Sequence, residues 1–425
     1  MRNWLLILGL SLPVLSMANS AVMQGFPPVR ESQVHMANAL TPPFSHWAMH
    51  NPGTLYPSER IPRAGEIIPM PVDMMHSLGD VLVAPNLSFK GAFEQHFADG
   101  VVVLHKGTLV YEQYFNGMQD NDHHIWYSMT KSLVSAAFGI LVDQGKVELD
   151  KSPADYIPEL KGSGFERTTI QHVLDHMSGL AFKENYTDPN SEFVRYYAPT
   201  LNMLFMPGAR DAMPHNTDIL GAWDFAAKFA KPDPAVMPGE MFDYNSSNAD
   251  VLGWLIARLS GMHAADFIQQ HIWSKLGAEH DAAMIVDRAL MPVSTGGMMS
   301  TLRDAARFGQ LVMQRGEYNG QQVLPLSWMN SITDYDPIHM DSMANNPIYQ
   351  DNDWVAYHNM WWQLDRTRGE FAATGIHGQV IYINRDAGVV IAYFSSQPKA
   401  SAARNPNYQA KLRAARFMAD YLSAE

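Results

Sequence analysis

The sequence predicts an α/β (α+β) fold: one domain assembled from both ends of the chain, with a mainly helical, loop-rich region inserted between them. Three observations lead there. Strand-like alternation appears early, over 101–114, and returns late, over 378–395. The stretch between them is helical or rich in loop residues. The 425 residues are 47% hydrophobic and 17% charged, a globular balance that excludes a mostly disordered chain. The expected division is 1–18 as a signal peptide, 19–160 plus 290–425 as the discontinuous α/β domain, and 161–289 as the inserted region.

Arg2 precedes an apolar run from Trp4 to Leu15, and small residues follow at Ser16 and Ala18. That is the pattern of an export signal, and the run is too short for a bilayer, which takes about 20 residues. Cleavage near Ala18 would release a periplasmic or secreted chain with no membrane span. Residues 22–75 are rich in Pro, Met and His without a clear period and read as an irregular arm. Val101–His105 and Thr108–Tyr114 flank Lys106-Gly107, a two-residue hairpin turn. Ser128 to Gln144 reads as a helix closed by Gly145, and 169–177 as a short helix. Residues 180–245 are loop-rich. Helices follow over 248–259, 264–276 and 302–314. Gly378 to Ser395 holds two strands around Asp386-Ala387-Gly388, and 408–422 is a closing helix.

Lys and Arg number 30 against 43 Asp and Glu, a formal charge of −13. This argues against a nucleic-acid face, which needs clustered cations. The absence of cysteine excludes disulfides, thiolate metal sites and a catalytic thiol.

Chemistry concentrates at three places. Ser128-Met-Thr-Lys131 puts a hydroxyl and an amine one helical turn apart on one face. A serine nucleophile needs a base beside it, and an amine serves once burial lowers its pKa. The helix that follows is apolar on nearly every face and therefore central. Its N-terminal N–H groups can meet an oxyanion. Phe242-Asp-Tyr244-Asn-Ser246-Ser-Asn248 offers a phenol that a nearby ammonium can depress toward phenolate, or a Ser-x-Asn turn in the alternative register. Ala373-Thr374-Gly375-Ile376-His377-Gly-Gln379 lets backbone come close to a ligand at a strand edge.

Read in order, these elements resemble the serine β-lactamase-like family in its class C-related branch, and within it the 6-aminohexanoate-dimer hydrolases. The strings from His172 to Leu180, Gly296 to Thr301 and Gly375 to Gln379 support the resemblance, which runs from about Trp47 to Leu422. It implies a β-lactamase/penicillin-binding-protein-like fold, an antiparallel sheet flanked by helices. It implies Ser128 as acylated nucleophile, Lys131 as its base and Tyr244 as general acid/base. The N–H groups of Ser128 and Ile376 would form the oxyanion hole, with His377 as the second register. Tyr186, Ser246, Thr374, Gly375 and His377 would contact substrate, Tyr186 by closing over it. No cofactor or metal is implied.

The activity so implied is hydrolysis of a linear amide or ester, with carboxylesterase, β-lactamase and non-catalytic ligand binding as alternatives. Ala373 stands where β-lactam-hydrolysing relatives carry a Lys, so a β-lactam carboxylate would lack its partner there. Outside the motifs, His172 and His176 read as structural, His123-His124 as a solvated turn, and Trp361-Trp362 as strand core, one of them a possible pocket wall.

Overall fold

The computed structural model describes residues 22–186, 188, 190–203, 219–349, 352–401 and 405–424. The expected export signal at 1–18, with its cleavage point at Ala18, lies outside them. In chain order the elements that position the site begin with helix α1 (Phe44–His50), strand β1 (Ser58–Ile61) and strands β2 (Ala98–His105) and β3 (Thr108–Tyr114). Strand β4 (His124–Ile125) leads to helix α2 (Thr130–Asp143). Helices α3 (Ile170–Leu174), α4 (Ser247–Ser260) and α5 (Ala264–His271) follow. After β5 (Ala282–Ile285) and β6 (Met298–Ser300) come helices α6 (Leu302–Met313) and α7 (Pro337–Asn345). The chain ends with β7 (Ala356–His358), β8 (Trp361–Asp365), β9 (Glu370–Gly375), β10 (Gln379–Asn384), β11 (Val389–Ser395) and helix α8 (Pro406–Ser423).

Among the described residues the main sheet has seven strands in the order β7-β8-β9-β10-β11-β2-β3. Each neighbouring pair is antiparallel. The β2–β3 turn is the expected one: Lys106 (φ 49°) and Gly107 (φ 83°) both take positive φ, as the tight hairpin turn of right-twisted strands requires. Strand β11 beside β2 joins the two chain ends. Helix α6 lies on β11, β2 and β10, and Gly309 lets it approach Ile381 and Val390 closely. Helix α2 is buried from Thr130 to Leu141 and packs against α4 and α5. A smaller antiparallel sheet runs β1-β5-β6-β4, so β5, from within 161–289, pairs with strands from outside that range.

Two readings of the N-terminal third are corrected. The 22–75 stretch is not wholly irregular, because it supplies α1 and β1. His124 is not in a solvated turn. It is fully buried, stacked on Phe394 at 4.6 Å, with Nε2 3.2 Å from Asp99. Asp99 also meets His46 Nδ1 at 2.6 Å and His50 Nε2 at 3.2 Å, both on α1, and accepts from Ser396. The arm is therefore tied to the sheet through one buried carboxylate.

Candidate active site

The turn that presents Ser128 is held from two sides. Trp126 donates its N–H to the Met298 carbonyl (2.8 Å) and its indole N–H to Ser300 Oγ (2.9 Å). Tyr127 then adopts φ 47°, a left-handed conformation unfavourable for a bulky side chain and maintained only where surroundings enforce it. Ser128 follows in a 3-10 turn that feeds directly into α2. The Met298 N–H donates to Thr130 Oγ1 (3.1 Å) and fixes the helix start on β6.

Lys131 is one turn along, as its spacing predicts. Its Nζ donates to Ser128 Oγ at 2.9 Å and to the Thr295 carbonyl at 2.8 Å. The side chain is 1% exposed, and burial lowers its pKa to about 8, against the opposing pull of Glu184 and Asp250. Roughly a tenth of the amine is then neutral at pH 7 and about half at pH 8, which supplies a base for serine.

Tyr244 completes the group. Its ring lies with its centroid 5.1 Å from Lys131 Nζ, and the Ser128 side chain acts on its hydroxyl. The loop that carries it is pinned by His176, whose Nδ1 accepts the Asn245 N–H (2.9 Å) and whose carbonyl accepts the Asp243 N–H (2.8 Å). The His176 ring rests on Tyr244 at 4.5 Å. The expected phenolate is corrected. Burial, with the nearby Glu184 carboxyl, pushes the Tyr244 hydroxyl well above its ordinary pKa, so the phenol stays protonated and suits proton relay. Ser246 is buried and is not among the described cleft-lining residues, and its N–H donates to Glu184.

The third motif forms the opposite wall. A Cβ at Gly375 would stand 2.2 Å from the Trp126 carbonyl, so only glycine lets β9 approach the Ser128 turn. Thr374, Gly375, Ile376 and His377 all line the cleft. The His377 N–H donates to the Ala400 carbonyl (3.0 Å) and its Nδ1 bonds the Gln397 carbonyl (2.7 Å). The His377 N–H is thus committed to a carbonyl and turned from an oxyanion.

Ser128 opens onto a cleft of about 890 Å³. Ile348, Tyr349, Trp354, Trp362 and Ile376 give it an apolar wall, and Lys183 and Lys399 supply cations. Tyr186 lines it and donates to Glu184 Oε2 (2.5 Å). Trp361 is core, whereas Trp362 takes the wall position.

Three features escaped the sequence reading. Glu184 accepts from Tyr186 and Ser246, and burial raises its pKa. Asp250 accepts the Thr295 N–H (3.1 Å) and the Tyr197 hydroxyl, and burial lifts it to about 7. Each is a lone carboxylate with no periodic signal; only the position of Glu184 two residues before Tyr186 hinted at a role. Ala373 is the third. It is fully buried in β9 and is not among the described cleft-lining residues.

Comparison with known proteins bears on this geometry. Residues 89–416 match the sequence profile of the Beta-lactamase family. The chain is 29% identical over 357 residues to 6-aminohexanoate-dimer hydrolase of Paenarthrobacter ureafaciens, covering 84% of this chain and 86% of that one. It superposes with a TM-score of 0.78 on a Bacillus anthracis protein assigned as a 6-aminohexanoate-dimer hydrolase, at 26% identity over 93% of this chain and 98% of that one. A D-stereospecific amidohydrolase from Streptomyces sp. shares the fold, with a TM-score of 0.56 and 18% identity over 77% of this chain and 97% of that one.

Proposed function

The chain belongs to the Beta-lactamase family and is a serine hydrolase, and from that premise we propose that it cleaves a linear amide of the 6-aminohexanoate-oligomer kind, or a comparable ester, through an acyl-enzyme on Ser128. The observation that carries the reading is the 2.9 Å contact between Lys131 Nζ and Ser128 Oγ at an apolar cleft. In its neutral form Lys131 takes the Ser128 proton as Oγ attacks the substrate carbonyl. The oxyanion settles between the N–H groups of Ser128 and Ile376. The proton passes through the Tyr244 hydroxyl to the leaving amine or alcohol, the carbonyl–heteroatom bond breaks, and the acyl group stays on Oγ. Water, deprotonated by the same Lys131–Tyr244 pair, then releases the acid.

The cleft volume of about 890 Å³ suits a small molecule rather than a polymer surface. Its apolar wall also favours uncharged esters, which makes carboxylesterase activity the second reading. Screening p-nitrophenyl esters, nitrocefin and short aminohexanoate oligomers, with fluorophosphonate labelling, tests the proposal. The expected result is turnover of an ester or linear amide and a label on Ser128 that Ser128→Ala abolishes. Turnover retained in Ser128→Ala, with label on another serine, defeats it. A folded chain with neither label nor turnover would favour a ligand-binding role instead.

Export to the periplasm or medium is proposed on the Arg2-led apolar run and Ala18. A mature N-terminus at Asn19 or Ala21 is expected. Full-length protein starting at Met1 in the cytoplasm would overturn it.

A further inference from the structure

We propose that the chain binds one divalent transition-metal cation of the zinc(II) class at Asp175, His339 and His358, apart from the cleft that holds Ser128. Asp175 follows α3, His339 lies in α7 and His358 ends β7, and all three are at most 7% exposed. His339 Nε2 is 3.0 Å from Asp175 Oδ2, and His358 Nδ1 is 2.8 Å from Asp175 Oδ1. The three ligand atoms lie within 4.8 Å of one another.

The three groups converge so that a proton or a metal cation can sit between them. His339 Nδ1 meets the Asp336 carbonyl at 3.1 Å, and a carbonyl can only accept, so Nδ1 carries a proton. A protonated ring donates Nε2–H to the Asp175 carboxylate at 3.0 Å, whereas a neutral ring turns a lone pair toward it, the place a metal cation would take in the proton's stead. Among the described residues His358 Nδ1, which is buried, has Asp175 Oδ1 at 2.8 Å as its polar neighbour and no well-aligned hydrogen bond. A cation that takes both imidazole lone pairs and a carboxylate oxygen satisfies every one of these atoms. The carboxylate is already oriented for it by Gln171 Nε2 (2.9 Å) and the Asn359 N–H (3.0 Å), the outer partners a metal ligand requires. A cavity of about 370 Å³ opens beside the three groups and carries the Asp334 and Asp336 carboxylates, which favour cation entry.

The other buried His/Asp cluster differs. Asp99 has four hydrogen-bond partners, His46, Asn116, His124 and Ser396, against the Gln171, Asn359 and His339 contacts of Asp175. The Asp175 site also adjoins the catalytic frame. His176, the next residue, holds the Tyr244 loop, and the Asn359 and Met360 carbonyls accept from Ser135 and Ser132 of α2. The cation would clamp the turns behind both.

The test is Co(II) titration of the chelator-treated full-length chain, followed by visible absorption and Zn(II) displacement. One Co(II) per chain is expected. His339→Gln combined with His358→Gln should abolish binding, Gln171→Ala should weaken it about 10- to 100-fold, and His46→Ala should leave it intact. Paramagnetically shifted ring protons of His339 and His358 in the unsubstituted chain report the ligands without any mutation. No binding at micromolar Co(II), the outcome if His339 is simply an imidazolium paired with Asp175, overturns the proposal. So does binding that survives the double substitution or is lost with His46→Ala.

Discussion

Tyr244 lies flat on Trp362, with ring centroids 5.5 Å apart and planes inclined by 18°. The stack fixes the phenol over Lys131 from the wall of the cleft. Trp362→Ala should therefore act twice. It should destabilise the fold by about 3–5 kcal/mol through the cavity it leaves. It should also slow acylation by about tenfold, the scale of a lost aromatic pair. Trp362→Phe should restore most of both. Urea melts and pre-steady-state acylation rates read the two effects separately.

Lys131→Ala and Tyr244→Phe should each slow acylation by about a hundredfold or more, the usual range for losing general acid–base assistance. Ser246→Ala should be nearly silent, because that side chain stays off the cleft. A crippling Ser246→Ala beside a silent Tyr244→Phe would move the acid/base role to the Ser-x-Asn register.

The pH profile carries its own sign. Lys131 acts as base when neutral, and its pKa is lowered to about 8, so kcat/KM should rise with pH and level off above about 8. Glu184 favours the ammonium form of Lys131, so Glu184→Gln should shift that limb toward acid. A limb that stays put or moves toward alkali would remove Glu184 from the electrostatics of the base.

Gly375→Ala places a methyl 2.2 Å from the Trp126 carbonyl, backbone that cannot rotate away. The expected cost is about 1–3 kcal/mol of stability from overpacking, together with loss of labelling at Ser128 as β9 and the nucleophile turn are forced apart. Labelling at the unsubstituted rate would show that the oxyanion wall tolerates displacement.

Acid should unfasten the N-terminal arm. Burial alone would raise the Asp99 pKa, but His50, His124 and His46 outweigh it and hold the carboxyl well below the ordinary aspartate value of 3.8. A depressed carboxyl contributes stability that is present above about pH 4 and lost as pH falls below it. Asp99→Asn should lower Tm at pH 7 and flatten the fall of Tm between about pH 4 and 2. Parallel melting curves for both proteins over that range would exclude Asp99 from acid unfolding.

Much of the site was legible because local geometry fixes it. Ser128 and Lys131 share a helical face by spacing alone, and Lys106-Gly107 announces its turn because few residue pairs accept two positive φ values. What failed to show was burial set by distant partners. His124 sits beside another histidine and looks solvated, yet Asp99 and Phe394 enclose it. Tyr244 looked ready to ionise near an ammonium, but desolvation and Glu184 decide the sign. Ala373 occupies a motif position, but the pleat of β9 turns it into the core.

Asp99 gathers side chains from His46, His50, Asn116, His124 and Ser396. These are separated by most of the chain, so the cluster cannot assemble from local contacts. Its formation must wait until β11 has docked beside β2 and the arm has been recruited. Such late, non-local closure carries a large loop-entropy cost before it is rewarded. The arm should consequently be the last segment to gain protection during refolding and the first to lose it, which pulsed hydrogen exchange over residues 44–50 would resolve.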